Sequence, residues 1–135
     1  MPRVGGPIPD SYGLSLSVKC PTASEANPIE TGDLLVWDDT SAYGAIPAPA
    51  GALPDMRAKH PVSDPFTPLG VHVFGASRVE QFTYTGAAPA IGAAVASDGA
   101  GGVTAVDGAG AAIAANGTRV LFVDTARSIV EVLMP

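Results

Sequence analysis

From Leu14 to Cys20 apolar and polar positions alternate, with Leu14, Leu16 and Val18 set against Ser15, Ser17 and Lys19. A period of two predicts a strand with one buried face. A turn at Thr31-Gly32-Asp33 then leads into the compact apolar run Leu34 to Trp37, which the pair Asp38-Asp39 closes. This predicts a second short strand. Further on, "LGVHVFGASRVEQFTY" (69–84) predicts a hairpin turning at Gly75-Ala76-Ser77. "AIGAAVASDGAGGVTAVDG" (90–108) predicts another, turning at Asp98 to Gly102, where Asp-Gly is a strong hairpin signal. "RVLFVDTARSIVEVLMP" (119–135) predicts the last, with its turn at Asp124 to Ser128. Short strands separated by turn chemistry predict an all-β fold, a small barrel or sandwich.

Two segments fall outside this rhythm. Residues 1–13 hold three prolines and three glycines with almost no periodicity, and read as an extended N-terminal arm with apolar anchors at Val4, Ile8 and Tyr12. Residues 44–68 hold six prolines, at 47, 49, 54, 61, 65 and 68. Proline donates no ladder hydrogen bond, so this stretch is expected to be a long structured loop. The expected organisation is thus an arm, 1–13, and a single β domain, 14–135. A faint internal echo, "GDLLVWDD" before "VHVFGASRVE" and "GAAVASDG" before "VLFVDTARSIVE", hints at a duplicated unit.

The closing hairpin carries too many apolar residues for one buried face. Val120, Phe122, Val130, Val132 and Met134 are expected to enter the core, which leaves Leu121, Val123, Ile129 and Leu133 needing a second cover. The 44–68 loop could supply it. A second copy packed face to face around a symmetry axis is the preferred expectation, giving a homo-oligomer with a trimer favoured.

Composition narrows the partners. At 135 residues there is room for one domain with a real core. Charged residues are only 15% and the net charge is −6, which sets aside nucleic acid and an anionic bilayer as main partners. Such a sparsely charged surface packs against neighbours without desolvating many charges. Cys20 is the only cysteine, so no intrachain disulfide is possible. "MPRVGGPIPD" lacks the apolar core of a signal peptide, and a soluble protein made in a cytoplasm is expected.

Candidate chemistry is thin. A nucleophilic site would pair Cys20 or a serine with His60 or His72, but Cys20 reads better as a small buried hydrophobe and His72 as a surface or interface residue. Asp33, Asp38 and Asp39 lie close together without the ligand spacing of a calcium loop, and read as turn and strand-end residues. "SDGAGG" has no lysine and no following helix to hold a phosphate. The same tip has no lysine to carry biotin or lipoyl. Asn116-Gly117-Thr118 matches a glycosylation sequon, which means little without a secretory signal. No catalytic, cofactor or metal residue is assigned, and a non-enzymatic protein without cofactor is expected.

The layout itself, "TGDLLVWDD", a proline-rich excursion, "PLGVHVFGAS", "IGAAVASDGAGGVTAV" and a terminal "VEVLMP", resembles the head decoration, or cement, proteins of tailed bacteriophages over roughly residues 25–135. The resemblance implies a β-tulip-like or barrel-like domain that binds the outside of an expanded capsid, often as a trimer. It implies the major capsid protein as partner and the outer virion surface, after synthesis in a bacterial cytoplasm, as location. The residues assigned to capsid or subunit contact are Arg3, Val4, Ile8, Tyr12, Arg57, His60, Leu121, Val123, Ile129 and Leu133. The alternative is a surface module for a carbohydrate or host receptor, with Trp37 and Tyr43 flanking Asp38-Asp39 as a sugar platform. Against it stands a core tryptophan and a turn tyrosine.

Overall fold

The computed structural model describes residues 14–75 and 78–135. Those residues form an all-β fold of ten short strands, with no helix among them. Five strands make the larger sheet: β1 (Leu14–Val18), β2 (Leu34–Asp38), β3 (Gly44–Pro47), β4 (Met56–Ala58) and β5 (Leu69–Val73). Their order is β1-β5-β4-β2-β3, every pair antiparallel. The sheet closes on itself where the end of β1 meets the start of β3. There Lys19 N–H donates to the Tyr43 carbonyl at 2.8 Å and Ala45 N–H donates to the Lys19 carbonyl at 2.8 Å.

Closure makes a small barrel, filled by one face of each strand. Val18, Leu35, Ala45, Met56, Ala58, Leu69 and Val71 meet there, joined by Cys20, Ala23, Ile29 and Val62 from the flanking loops. Small residues beside Met and Leu suit a narrow barrel interior. Arg57, Gly70 and His72 alternate with these positions and stand on the outside.

The second layer is the sheet β6-β10-β9, built from β6 (Val79–Thr83), β9 (Arg119–Asp124) and β10 (Ile129–Leu133). A two-stranded ribbon, β7 (Ala96–Ser97) with β8 (Val103–Thr104), stands beside it. These elements bury a second core of Phe82, Tyr84, Val95, Val103, Val120, Val130, Val132 and Met134 against Leu34 and Ala48 of the barrel's outer side. Leu34 and Leu35 therefore both bury their side chains, on opposite faces of β2. That accounts for the unbroken apolar run there.

Three sequence expectations are corrected. The stretch 44–68 is not one loop: it holds β3 at the end of the strand order and β4 between β5 and β2. The proline rule still holds locally, because Met56-Arg57-Ala58 contains no proline and Pro47 ends its strand. Residues 69–84 are not a hairpin. β5 pairs with β1 and β4, whereas β6 pairs with β10, so the chain crosses between layers. The internal echo goes with it, since "VHVFGASRVE" is a crossover and "VLFVDTARSIVE" a true hairpin.

The third correction concerns the closing hairpin. Val123 opposes Val130, Phe122 opposes Glu131, but Val120 opposes Val132, so Leu121 is an extra residue in a β-bulge. The bulge resets the alternation. Val120 and Val123 both turn inward and Val123 packs against the second core, while Phe122 lies on the other face. The expected assignments of Phe122 to the core and Val123 to an outer contact are exchanged. On β10 the expectation stands, with Val130 and Val132 buried and Met134 just beyond them. Its outward residues Ile129 and Leu133 are half-buried, and Glu131 between them is buried and engaged.

Candidate functional site

Between the two layers lies a cluster that alternation along β4, β5 and β6 brings together. Arg57 projects from β4 with its guanidinium 5.4 Å from the Phe74 ring centre and 5.1 Å from that of Phe82, and it donates to the Gln81 carbonyl. Phe74 meets Phe82 edge to face at 5.2 Å and His72 at 5.8 Å. His72 Nε2 lies 3.1 Å from a Glu80 carboxylate oxygen, which joins β5 to β6. Burial pushes the Arg57 guanidinium below its ordinary range, and the Glu80 charge opposes that shift. The cluster ties the layers to each other. Arg57, assigned from sequence to an external contact, spends its guanidinium inside the molecule.

Beside Arg57 opens a cleft of about 460 Å³, bounded by the turn before β2, the end of β6 and the β7–β8 turn. Asp33 and Asp98 stand on its walls. Asp98 Oδ1 accepts from Ala100 N–H at 2.7 Å and Gly102 N–H at 3.1 Å, and its Oδ2 accepts from the Thr85 hydroxyl at 3.0 Å. Asp33 Oδ2 accepts from Glu30 N–H at 2.9 Å. Both carboxylates are thus locked in orientation by their own turns.

A different depression, about 340 Å³ and apolar, lies where the barrel closes, between Tyr43 and Phe66. Tyr43 holds a left-handed backbone, φ 53°, while its carbonyl takes the closing bond from Lys19. Its ring is 65% exposed. Phe66 is 89% exposed, the most of any large apolar residue described. Asp64 sets its position: Oδ1 accepts from Phe66 N–H at 2.8 Å and Thr67 N–H at 2.7 Å, and Oδ2 accepts from the Thr67 hydroxyl at 2.7 Å. Those bonds hold the Asp64 carboxyl below its ordinary range, the Thr67 hydroxyl foremost. A capped turn thereby presents an aromatic ring to solvent.

The remaining assigned residues scatter. Arg3, Val4, Ile8 and Tyr12 lie outside the described residues. His60 is exposed and its Nε2 accepts from Gly70 N–H at 2.9 Å, so the ring braces β5. Leu121 is 42% exposed at the bulge, and Ile91 is 62% exposed on the segment whose Gly92 and Ala93 pair with Val120. Trp37 and Tyr43 line separate depressions. Cys20 lies in the barrel interior, and burial raises its thiol, the opposite of what a nucleophile needs. Asn116 is committed to the Val95 carbonyl and to Thr118. Among the described residues no three His, Cys, Asp or Glu side chains gather to hold a metal ion, and no helix is long and apolar enough to cross a membrane.

Sequence reasoning passed over Phe66 and the Asp98 wall of the cleft. "DPFT" carried a signal, an aspartate two and three residues before backbone donors, which is an Asx turn with an aromatic tip. No protein-family model matches the chain, and no curated protein matches it either.

Proposed function

We propose that the chain is a structural decoration protein that binds the outside of an expanded bacteriophage head and staples neighbouring major capsid subunits. The observation that carries this reading is the Tyr43–Phe66 face: two large exposed aromatic rings, fixed by backbone and cap, over an apolar depression. Aromatic anchors of this kind concentrate binding energy at protein interfaces. The low charge of the chain, 15% of residues, keeps desolvation cheap over the surrounding surface. The sequence resemblance set out above supplies the partner.

The mechanism is mass action. A protein that binds only the assembled, expanded shell stabilises that shell by its binding free energy. Repetition over a symmetric lattice multiplies a modest contact. No cofactor or chemical step enters. The homo-oligomer, a trimer, belongs to the same proposal, with Leu121 and Ile91 as its exposed apolar contact and Leu133 on the neighbouring strand of the same sheet. Mixing the chain with undecorated expanded heads tests the reading. Occupancy by the unaltered chain and its loss in Phe66→Ala are expected, and heads left bare by the unaltered chain would overturn it.

A further inference from the structure

We propose that the cleft between barrel and second sheet binds a neutral saccharide unit, a function separate from capsid docking and independent of it. The walls present fixed acceptors. An ionised carboxylate offers about four lone-pair sites, so Asp33 and Asp98 keep capacity beyond the turn bonds that orient them. Glycine at two positions lets the β7–β8 turn approach these oxygens with no side chain interposed. A Cβ on Gly101 would come within 2.9 Å of Asp33 Oδ1, and one on Gly102 within 2.9 Å of the Thr83 carbonyl and 3.0 Å of Asp98 Oδ2. Gln81 and Thr83 add side chains on the same wall that both donate and accept, and Thr85, whose hydroxyl proton goes to Asp98, adds an acceptor.

The chemistry of the walls selects the ligand. Two carboxylates repel an anion. Arg57, held in place by Phe74 and Phe82, disfavours a second cation, and no third acidic or imidazole group completes a metal site among the described residues. An apolar ligand would leave these polar groups unpaired, which is costly. What remains is a neutral molecule dense in hydroxyl groups, donating to the carboxylates and accepting from Arg57, Gln81 and Thr83. The volume of about 460 Å³ lies within the range of small-molecule sites. The sequence suggested a sugar platform at Trp37 and Tyr43; the cleft relocates that capacity.

The test is a titration of the isotopically labelled full chain, followed by amide chemical shifts. The probes are D-glucose, D-galactose, N-acetyl-D-glucosamine and L-rhamnose, each to about 50 mM, enough to fill a site with a Kd of a few millimolar. At least one sugar is expected to shift Asp33, Gln81, Thr83, Thr85, Gly101 and Gly102 saturably. Asp33→Asn keeps an acceptor for Glu30 N–H and removes the carboxylate, and about tenfold weaker binding is expected. Gln81→Ala, at an exposed position, is the second variant and should weaken binding even if Asp33→Asn fails to fold. Absence of saturable shifts in those residues with all four sugars overturns the proposal. So does binding that maps to Trp37 or Tyr43, unchanged affinity in the folded variants, or the same shifts produced by calcium chloride and by no sugar.

Discussion

Arg57 shows how one side chain can be legible in type and illegible in role. Its charge suggested a surface contact, yet β4 places it over two phenyl rings with Glu80 nearby. Arg57→Ala removes both ring contacts and the bond to the Gln81 carbonyl, and should lower stability by about 2 kcal/mol in urea unfolding. Phe66 behaves in the opposite way. Because its ring is 89% exposed, Phe66→Ala should change unfolding by no more than about 0.5 kcal/mol while abolishing capsid binding. A large loss of stability would show that the ring packs rather than docks. Asp64 adds a pH dependence: its folded carboxyl sits below the ordinary range because Thr67 and Phe66 bond its charged form. The stabilisation of that turn is therefore complete above the unfolded value and disappears as pH falls through the depressed folded one. The protection of the Phe66 and Thr67 amides relative to their intrinsic exchange at each pH should fall there, and Asp64→Ala should show the low protection throughout.

At the scale of elements, local signals succeeded where a strand's fate was decided locally. Alternation placed β1, an Asp-Gly turn placed β7 and β8, and the Asp124–Ser128 turn placed the closing hairpin. The failures share a cause: pairing across long sequence separation, which turn chemistry does not encode. β4 takes its partners from β2 and β5, so prolines on either side disguised a three-residue interior strand. Gly75 follows β5 as a hairpin glycine would, but the chain leaves for the other sheet. The bulge at Leu121 was invisible because four consecutive apolar residues carry no parity of their own. It makes a sharp prediction. Simple alternation puts positions 121 and 123 on one face and has them respond alike, whereas the bulge separates them. Val123→Asp should cost about 2 kcal/mol or more by placing a carboxylate against the second core, and Leu121→Asp almost nothing within the monomer. Paired urea curves decide it, and equal losses would refute the bulge.

For the whole molecule, a closed barrel and a second sheet share the outward side of β2 and the Arg57 cluster. Among the described residues its exposed large apolar positions include Tyr43 with Phe66 where the barrel closes and Leu121 and Ile91 at the margin of the second sheet, with Leu14, Trp37 and Val106 exposed elsewhere. In the proposed assembly the first pair meets the capsid and the second the sister subunits. Sedimentation should show a trimer at micromolar concentration, and Leu121→Asp with Leu133→Asp should yield a folded monomer. A monomeric unaltered chain would remove the subunit contact from the account in free solution. The central claim is docking on an expanded head, and thermal melting of undecorated expanded heads with and without the chain measures it most directly. A saturable rise in the melting temperature, absent with unexpanded heads and lost in the Tyr43→Ala, Phe66→Ala double variant, is the predicted result. A melting temperature unmoved by saturating amounts of the folded chain would contradict it.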